Sequence, residues 1–233
     1  MACTQRRFFG VPLVEQTTEE LADVWGAARS QLGALIFADR MLLWRIARSR
    51  PTRQYLLDVQ GRVVPNGGGA ARQIRVATGC RVGAFSEFQS VVRIMARAEA
   101  DGATVYLVGR SQDQLQRVEQ NVRATFPQLR VVGRAVFHAS NTESITTAIR
   151  KAGPRLVFVG ADAPMLLRWM REQSSQFGPV LTIVAFRAAQ RMAGRPATPR
   201  PGAWAAVLVR LFIGFPLIVH RLRAHYRRNR PSA

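Results

Sequence analysis

The sequence predicts an α/β fold, a parallel sheet with helices on its faces, and three observations carry that reading. Ala103-Thr-Val-Tyr-Leu-Val108, Leu129-Arg-Val-Val132 and Leu156-Val-Phe-Val159 are apolar, β-branched runs of strand length. They are too continuous for strands with one wet face, so they read as buried parallel strands. Segments with apolar residues at helical spacing separate them, and strands alternating with helices of this length favour a parallel sheet.

The elements follow in chain order. Thr17-Thr-Glu-Glu opens a helical segment through Leu21, Val24 and Trp25, because a threonine followed three residues later by glutamate can cap a helix reciprocally. Leu32-Gly-Ala-Leu-Ile-Phe37 is the first strand, and a helix over Arg40 to Arg48 follows. Tyr55-Leu-Leu-Asp58 reads as a second short strand, and Val59-Gln-Gly-Arg-Val-Val-Pro65 as the start of a turn into Gly67-Gly-Gly. Three consecutive glycines suggest a phosphate cradle, but no Lys-Ser/Thr follows as a P-loop requires, so a flexible loop is expected there. After the strand ending at Gly109, Ser111 can cap a helix with Leu115, Val118 and Val122 on one face, ending near Pro127. A helix over Thr142 to Arg150 is stopped by Gly153-Pro154, and the strand Leu156 to Val159 feeds Gly160. The whole is a Rossmann-like frame, in which ligands sit beyond the carboxyl ends of the strands. The loops after Val108 and Val159 are therefore the places to look.

Composition narrows the function classes. With 233 residues and 48% hydrophobic content, the chain has material for one α/β core plus an appendage. The formal net charge is +20, nearly all of it arginine, since Lys151 is the only lysine. A net positive sign of this size calls for a polyanionic partner or surface: nucleic acid, anionic lipid or phosphorylated substrates. Cys3 and Cys80 are too few for a disulfide framework and lack the spacing of a metal site, which suits a reducing cytosol. His138, His220 and His225 are scattered, and neither a metal nor another cofactor is expected. Arg6-Arg7-Phe-Phe-Gly-Val-Pro-Leu-Val14 is basic then apolar, but Glu15, Glu19 and Glu20 interrupt it, so no cleavable signal is read.

Past Ala185 the character changes, which divides the chain into an α/β domain over 1–185 and a basic, apolar appendage over 186–233. Arginines bracket a Pro/Gly-rich linker, and the strongly apolar run Trp204 to Val219 ends in a basic tail. That run carries Arg210 near its middle, is interrupted by Pro216 and falls short of the roughly 20 apolar residues that a membrane span needs. A segment lying in the membrane interface fits better, with Trp204, Phe212 and Phe215 in the acyl boundary and Arg210, Arg221, Arg223, Arg227 and Arg228 on phosphates. Each basic residue near an anionic surface contributes on the order of 1 kcal/mol. The alternative is a C-terminal helix packed on the domain's own core. The protein is expected on the cytoplasmic side, peripherally associated with the inner face of the cell membrane.

Ordered motifs then point to a family. Gly102-Ala-Thr-Val-Tyr-Leu-Val-Gly109, Thr125-Phe-Pro-Gln-Leu-Arg-Val-Val-Gly133, and Ala163-Pro164 followed by Trp169 resemble successive motifs of the WecG/TagA/CpsF glycosyltransferase family, the last two its "yPglrivG" and "GaPkQEkW". Weaker similarity includes Ala193-Gly194-Arg195 and the basic tail. The resemblance implies transfer of a sugar from a nucleotide donor to a polyprenyl-linked acceptor in cell-envelope or exopolysaccharide synthesis. The departures fall on polar positions. The family's Gln-Glu becomes Leu166-Leu167, its Asp-Gly is placed on Gln60-Gly61, an asparagine on Ala38 and an Asp on Gln190.

Such a transfer needs a base for the acceptor hydroxyl, worth about 10²–10⁴ in rate, and donors for the departing diphosphate. Leucine supplies neither. Asp58 and Asp162 are the candidate catalytic carboxylates, each available only by local rearrangement. Arg62, Arg72 and Arg75, near the glycine cluster, could bind a diphosphate. Gly61, Gly109, Gly160 and Pro164 complete the candidate substrate-binding set, and Trp169 reads as a helix-packing residue. Three functions follow: a divergent glycosyltransferase, a non-catalytic relative acting as partner of another glycosyltransferase, and, last, a nucleic-acid binder. For the third, no helix-turn-helix or aromatic RNA-recognition sequence accompanies the charge.

Overall fold

The computed structural model describes residues 7–14, 25, 33–161, 163–173, 176 and 180–194. Its centre is a six-stranded, wholly parallel sheet, in agreement with the predicted class. Before the sheet, β1 (Arg7–Phe8) and β2 (Val11–Pro12) form a small antiparallel hairpin. Its two turn residues, Phe9 and Gly10, both have positive φ, as the tight hairpin turns matched to strand twist require. Trp25 is buried, and its indole Nε1 donates to Asp101 Oδ2 at 2.7 Å.

β3 (Gly33–Ala38) and α1 (Arg40–Arg48) fall where the sequence predicts them. Asp39 ends the strand and caps the helix, Oδ1 accepting from Leu42 N at 2.9 Å. The stretch from Ser49 to Cys80 differs from expectation. Tyr55 to Asp58 is not a strand but the end of α2 (Arg50–Asp58), nucleated by the Ser49 cap and by Pro51 in its first turn. Only Leu56 of that helix is fully buried, which explains how so short an apolar run imitates a strand. The expected turn is β4 (Gly61–Pro65), an edge strand paired with β3. The expected flexible glycine loop is the amino end of α3 (Gly67–Thr78), whose Ala70, Gln73 and Ile74 face the core. Cys80, just beyond α3, is disulfide-bonded, where the cysteine count led to no such expectation.

α4 (Glu87–Ala100), capped by Ser86, leads into β5 (Thr104–Gly109). α5 (Gln112–Thr125) is capped by Ser111 as predicted, its Oγ accepting from Gln114 N at 3.3 Å. There follow β6 (Arg130–Val136), α6 (Thr142–Ala152), β7 (Leu156–Val159), α7 (Ala163–Gln173), β8 (Leu181–Val184) and α8 (Phe186–Met192).

The strand order is β4-β3-β8-β7-β5-β6. Successive residues of each inner strand enter opposite cores, as the period of two dictates. Tyr106 and Val108, with Val157 and Val159, pack with α1, α2, α3, α6 and α7 on one face. Val105, Leu107, Leu156 and Phe158 pack with α4, α5 and α8 on the other. Ala188, Ala189 and Met192 of α8 are buried in this second core. The expected membrane segment lies outside the described residues. Among those described, no helix is long and apolar enough to cross a membrane.

Candidate functional site

Strand order determines where a ligand can enter. The connection after β5 leads outward to β6, whereas the one after β7 leads inward to β8. Neighbouring strands whose connections diverge leave a crevice at their carboxyl ends. A cavity of about 700 Å³ lies there. Its wall takes Asp39 from the end of β3, Met41 and Arg45 from α1, Glu87 from α4, Arg110 from the end of β5, His138 from the loop after β6, and Phe186 and Arg187 from α8.

Two carboxylates face this space in different environments. Asp39, besides capping α1, pairs through Oδ2 with Arg187 Nη2 at 3.2 Å. Glu87 is buried, at 5% exposure, on the first residue of α4. Its Oε1 accepts from the backbone N–H of Ala188 at 2.9 Å, and its Oε2 accepts from Asn66 Nδ2. Asn66 Oδ1 in turn accepts from Glu87 N at 3.4 Å. Burial pushes the Glu87 carboxyl up to about 7, against the downward pull of the Ala188 and Arg187 amides and the Arg187 charge. Asp39 adds a small push in the same direction as burial.

Cationic groups complete the wall. The Arg110 guanidinium lies over the Phe186 ring at 5.5 Å, and its backbone N–H donates to Gln114 Oε1 at 3.0 Å. Arg45 and His138 are exposed at the cavity edge. Guanidinium groups around a concave, partly apolar wall suit a diphosphate, and a half-ionised buried acid beside them suits proton transfer near neutrality.

The residues singled out in the sequence are divided by the sheet. Gly109 ends β5 and Gly160 follows β7, each one residue before a residue of the cavity wall, Arg110 and Ala161. A Cβ on Gly160 would lie 2.4 Å from Ala189 Cβ, so glycine there lets α8 approach and bring Phe186 and Arg187 to the wall. Pro164 is in the first turn of α7. Asp58 and Gly61 stand at the opposite end of the sheet, before β4 runs its length. There Asp58 pairs with Arg171 Nε at 2.7 Å and accepts from Gln54 Nε2 at 2.8 Å. Arg62 points outward from β4, and Arg72 and Arg75 are exposed on α3. The structure therefore does not gather these arginines with Asp58 or with the cavity. Asp162 and the residues from Trp204 to Arg228 lie outside the described residues.

Two further placements refine the reading of motifs. Gln60-Gly61, on which the resemblance places the family's Asp-Gly pair, stands at the amino end of β4, whereas Asn66-Gly67 follows its carboxyl end, where Asn66 touches Glu87. Leu166 and Leu167 are buried in the first core. So is Trp169, whose Nε1 donates to Thr146 Oγ1 at 3.0 Å and Thr142 O at 3.2 Å, which is the helix-packing role expected of it.

Sequence reasoning missed Asp39, Glu87, Arg110 and Arg187. Asp39 and Arg110 were findable as the polar residues closing two strand runs. Glu87 begins a helix, α4, for which the sequence reading has no element, and Arg187 falls in the stretch read as the start of the basic appendage, whereas it lies on α8. No curated protein matches the chain significantly. The model of the glycosyl transferase WecG/TagA/CpsF family matches residues 6–204, in line with the motif resemblance, and the chain belongs to that family.

Proposed function

We propose that this protein acts in cell-envelope polysaccharide synthesis as a divergent glycosyltransferase, taking a nucleotide-sugar into the carboxyl-end cavity and passing the sugar to a polyprenyl-linked acceptor. The observation that carries this reading is the convergence of Arg45, Arg110 and Arg187 with Glu87 on one cavity at the switch point of the sheet. Departure of a nucleoside diphosphate leaves negative charge that guanidinium groups stabilise, most strongly where the wall excludes water. The apolar wall of Phe37, Leu42 and Phe186 supplies that exclusion and a surface for a base or sugar ring.

The acceptor half of the proposal rests on the sequence. The apolar run from Trp204 with its basic tail has the composition of an interfacial membrane segment and would hold the domain at a lipid surface. Loss of flotation with anionic vesicles on deletion of residues 204–233 is the expected result. A salt-sensitive DNA shift in its place would favour a nucleic-acid role.

A second reading has one specific observation behind it. Leu166 and Leu167 sit in the core where the family's Gln and Glu would stand, as in a relative that keeps the fold and binds without turnover, serving another glycosyltransferase as partner. Thermal unfolding with a panel of uridine-diphosphate sugars tests the common part of both readings. A ligand at a hundred times its Kd stabilises by about 2.7 kcal/mol, so a clear rise in Tm is expected at millimolar concentration. Absence of any rise would count against both, and release of uridine diphosphate separates the first from the second.

A further inference from the structure

Transfer of a sugar from a diphosphate to a hydroxyl liberates one proton, and the group that takes it must line the cavity and be fixed in place. Among the described residues, Asp39, Glu87 and His138 are the groups other than arginine that line the wall and could accept it. Asp39 is committed on both oxygens, to the amide of Leu42 and to the guanidinium of Arg187. His138 is exposed on the loop before α6, with Asn141 Oδ1 accepting from its backbone N–H. Glu87 differs from both: it is buried, and its two oxygens are positioned by neutral amide donors, Asn66 Nδ2 on one side and the amino end of α8 on the other. Neither contact neutralises the carboxylate as an ion pair would.

We propose that Glu87 is the proton acceptor of this site, held by Asn66 and α8 so that the acceptor hydroxyl meets it at the cavity wall. This rests on the glycosyl-transfer reading above. The acceptor oxygen forms a bond to the anomeric carbon as the bond from that carbon to the diphosphate oxygen breaks. The nucleoside diphosphate leaves with the bonding pair, and the hydroxyl proton passes to Glu87, which later returns it to water. No oxidant, reductant or further reactant is needed.

The charged groups around Glu87 are compatible with that role. α8 presents Arg187 and the amides of Arg187 and Ala188, the β3–α1 junction presents Asp39, and Arg45, Arg110 and His138 line the same cavity from α1, β5 and the loop after β6. Burial outweighs the favourable donors and holds the carboxyl at about 7. The acid is then ionised often enough to accept a proton at neutral pH and basic enough to take it.

A purely structural role has its own support, because Ala185 gives α8 no side-chain cap and Glu87 supplies the missing acceptor. The two roles separate on substitution. Glu87→Gln keeps an oxygen for the Ala188 amide but cannot accept the proton, and Asn66→Asp restores a carboxylate at the adjoining position.

The test uses the full chain as wild type, Glu87→Gln and the double variant Glu87→Gln/Asn66→Asp. Calorimetry with uridine diphosphate reads binding, and release of uridine diphosphate from a panel of UDP-hexoses and UDP-N-acetylhexosamines, with detergent-solubilised polyprenyl-diphosphate sugars present, reads turnover. Glu87→Gln is expected to bind uridine diphosphate within about twofold of wild type while turnover falls by about 10²–10⁴. The rise of wild-type rate with pH through about 7 should vanish with it, and the double variant should recover at least about tenfold. Wild-type turnover and pH profile in Glu87→Gln would overturn the proposal, as would a wild type that binds uridine diphosphate but releases none from any donor. A wild type that does not bind uridine diphosphate would overturn the transferase reading itself, and this proposal with it.

Discussion

The two ends of the sheet carry nearly the same kinds of group and differ in what surrounds them. At the amino end Arg171 pairs with Asp58 at 2.7 Å and lies over the Tyr55 ring at 5.2 Å. At the carboxyl end Arg187 pairs with Asp39 at 3.2 Å, and Arg110 lies over Phe186 at 5.5 Å. The arginines of the two pairs are similarly exposed, 48% and 51%, so ion pairing alone does not distinguish a site from a surface. What distinguishes the carboxyl end is a concave wall and a third acid, Glu87, buried and held by amides instead of a guanidinium. Candidate chemistry is better located by a buried acid held by amides than by a well-formed salt bridge.

Altering each end in turn should sharpen that contrast, and the largest effect belongs to Glu87. Below about pH 4.5 its carboxyl is protonated in folded and unfolded chains alike; above that the unfolded chain releases the proton, while the folded chain keeps it until about 7. Stability therefore falls as pH rises through this window and levels off above it. Glu87→Gln removes the penalty but leaves Asn66 Nδ2 without its acceptor, so the variant's stability relative to wild type should rise by on the order of 3 kcal/mol between pH 4 and pH 8. Melting curves at the two pH values check this, and equal differences at both would contradict it.

Gly160→Ala comes next. Its Cβ would meet Ala189 Cβ at 2.4 Å, two atoms fixed to their backbones, so α8 must move. A loss of about 2 kcal/mol in urea unfolding is expected, together with weaker uridine-diphosphate binding, because Phe186 and Arg187 move with the helix. Undisturbed binding in a destabilised variant would show that α8 does not shape the site.

Arg110→Ala should cost about 1.5 kcal/mol of uridine-diphosphate affinity by calorimetry, the loss of one charge-assisted contact, with little change in Tm. The smallest effect is at the other end. Asp58→Ala removes a half-exposed ion pair and should change stability by less than about 1 kcal/mol and leave nucleotide affinity where it was.

The fold was more legible than the site. Val105 to Val108 and Leu156 to Val159 announce buried strands because they are apolar on both faces, and the structure divides their side chains between two cores. Tyr55 to Asp58 misled because four residues cannot show a period, and the decisive signals, Ser49 and Pro51, stand at the other end of the helix. Val91, Ile94, Met95 and Ala98 do carry a helical period, so the signal for α4 is present in the sequence. The ends of β5 and β7, at Gly109 and before Gly160, were legible because the apolar runs stop there. Glu87 could not be: burial raises its pKa, and it is buried where it meets Asn66, 21 residues away, and Ala188 of α8, 101 residues away. One sequence contains no signal for that meeting.

The most direct measurement is a calorimetric titration of uridine diphosphate into the wild type, the carboxyl-end variant Arg110→Ala/Arg187→Ala and the amino-end variant Asp58→Ala/Arg171→Ala. The predicted result is binding to the wild type and the amino-end variant with equal affinity, and a loss of at least about a hundredfold in the carboxyl-end variant. Binding that survives the carboxyl-end substitutions, or disappears with the amino-end ones, would contradict the assignment of the site.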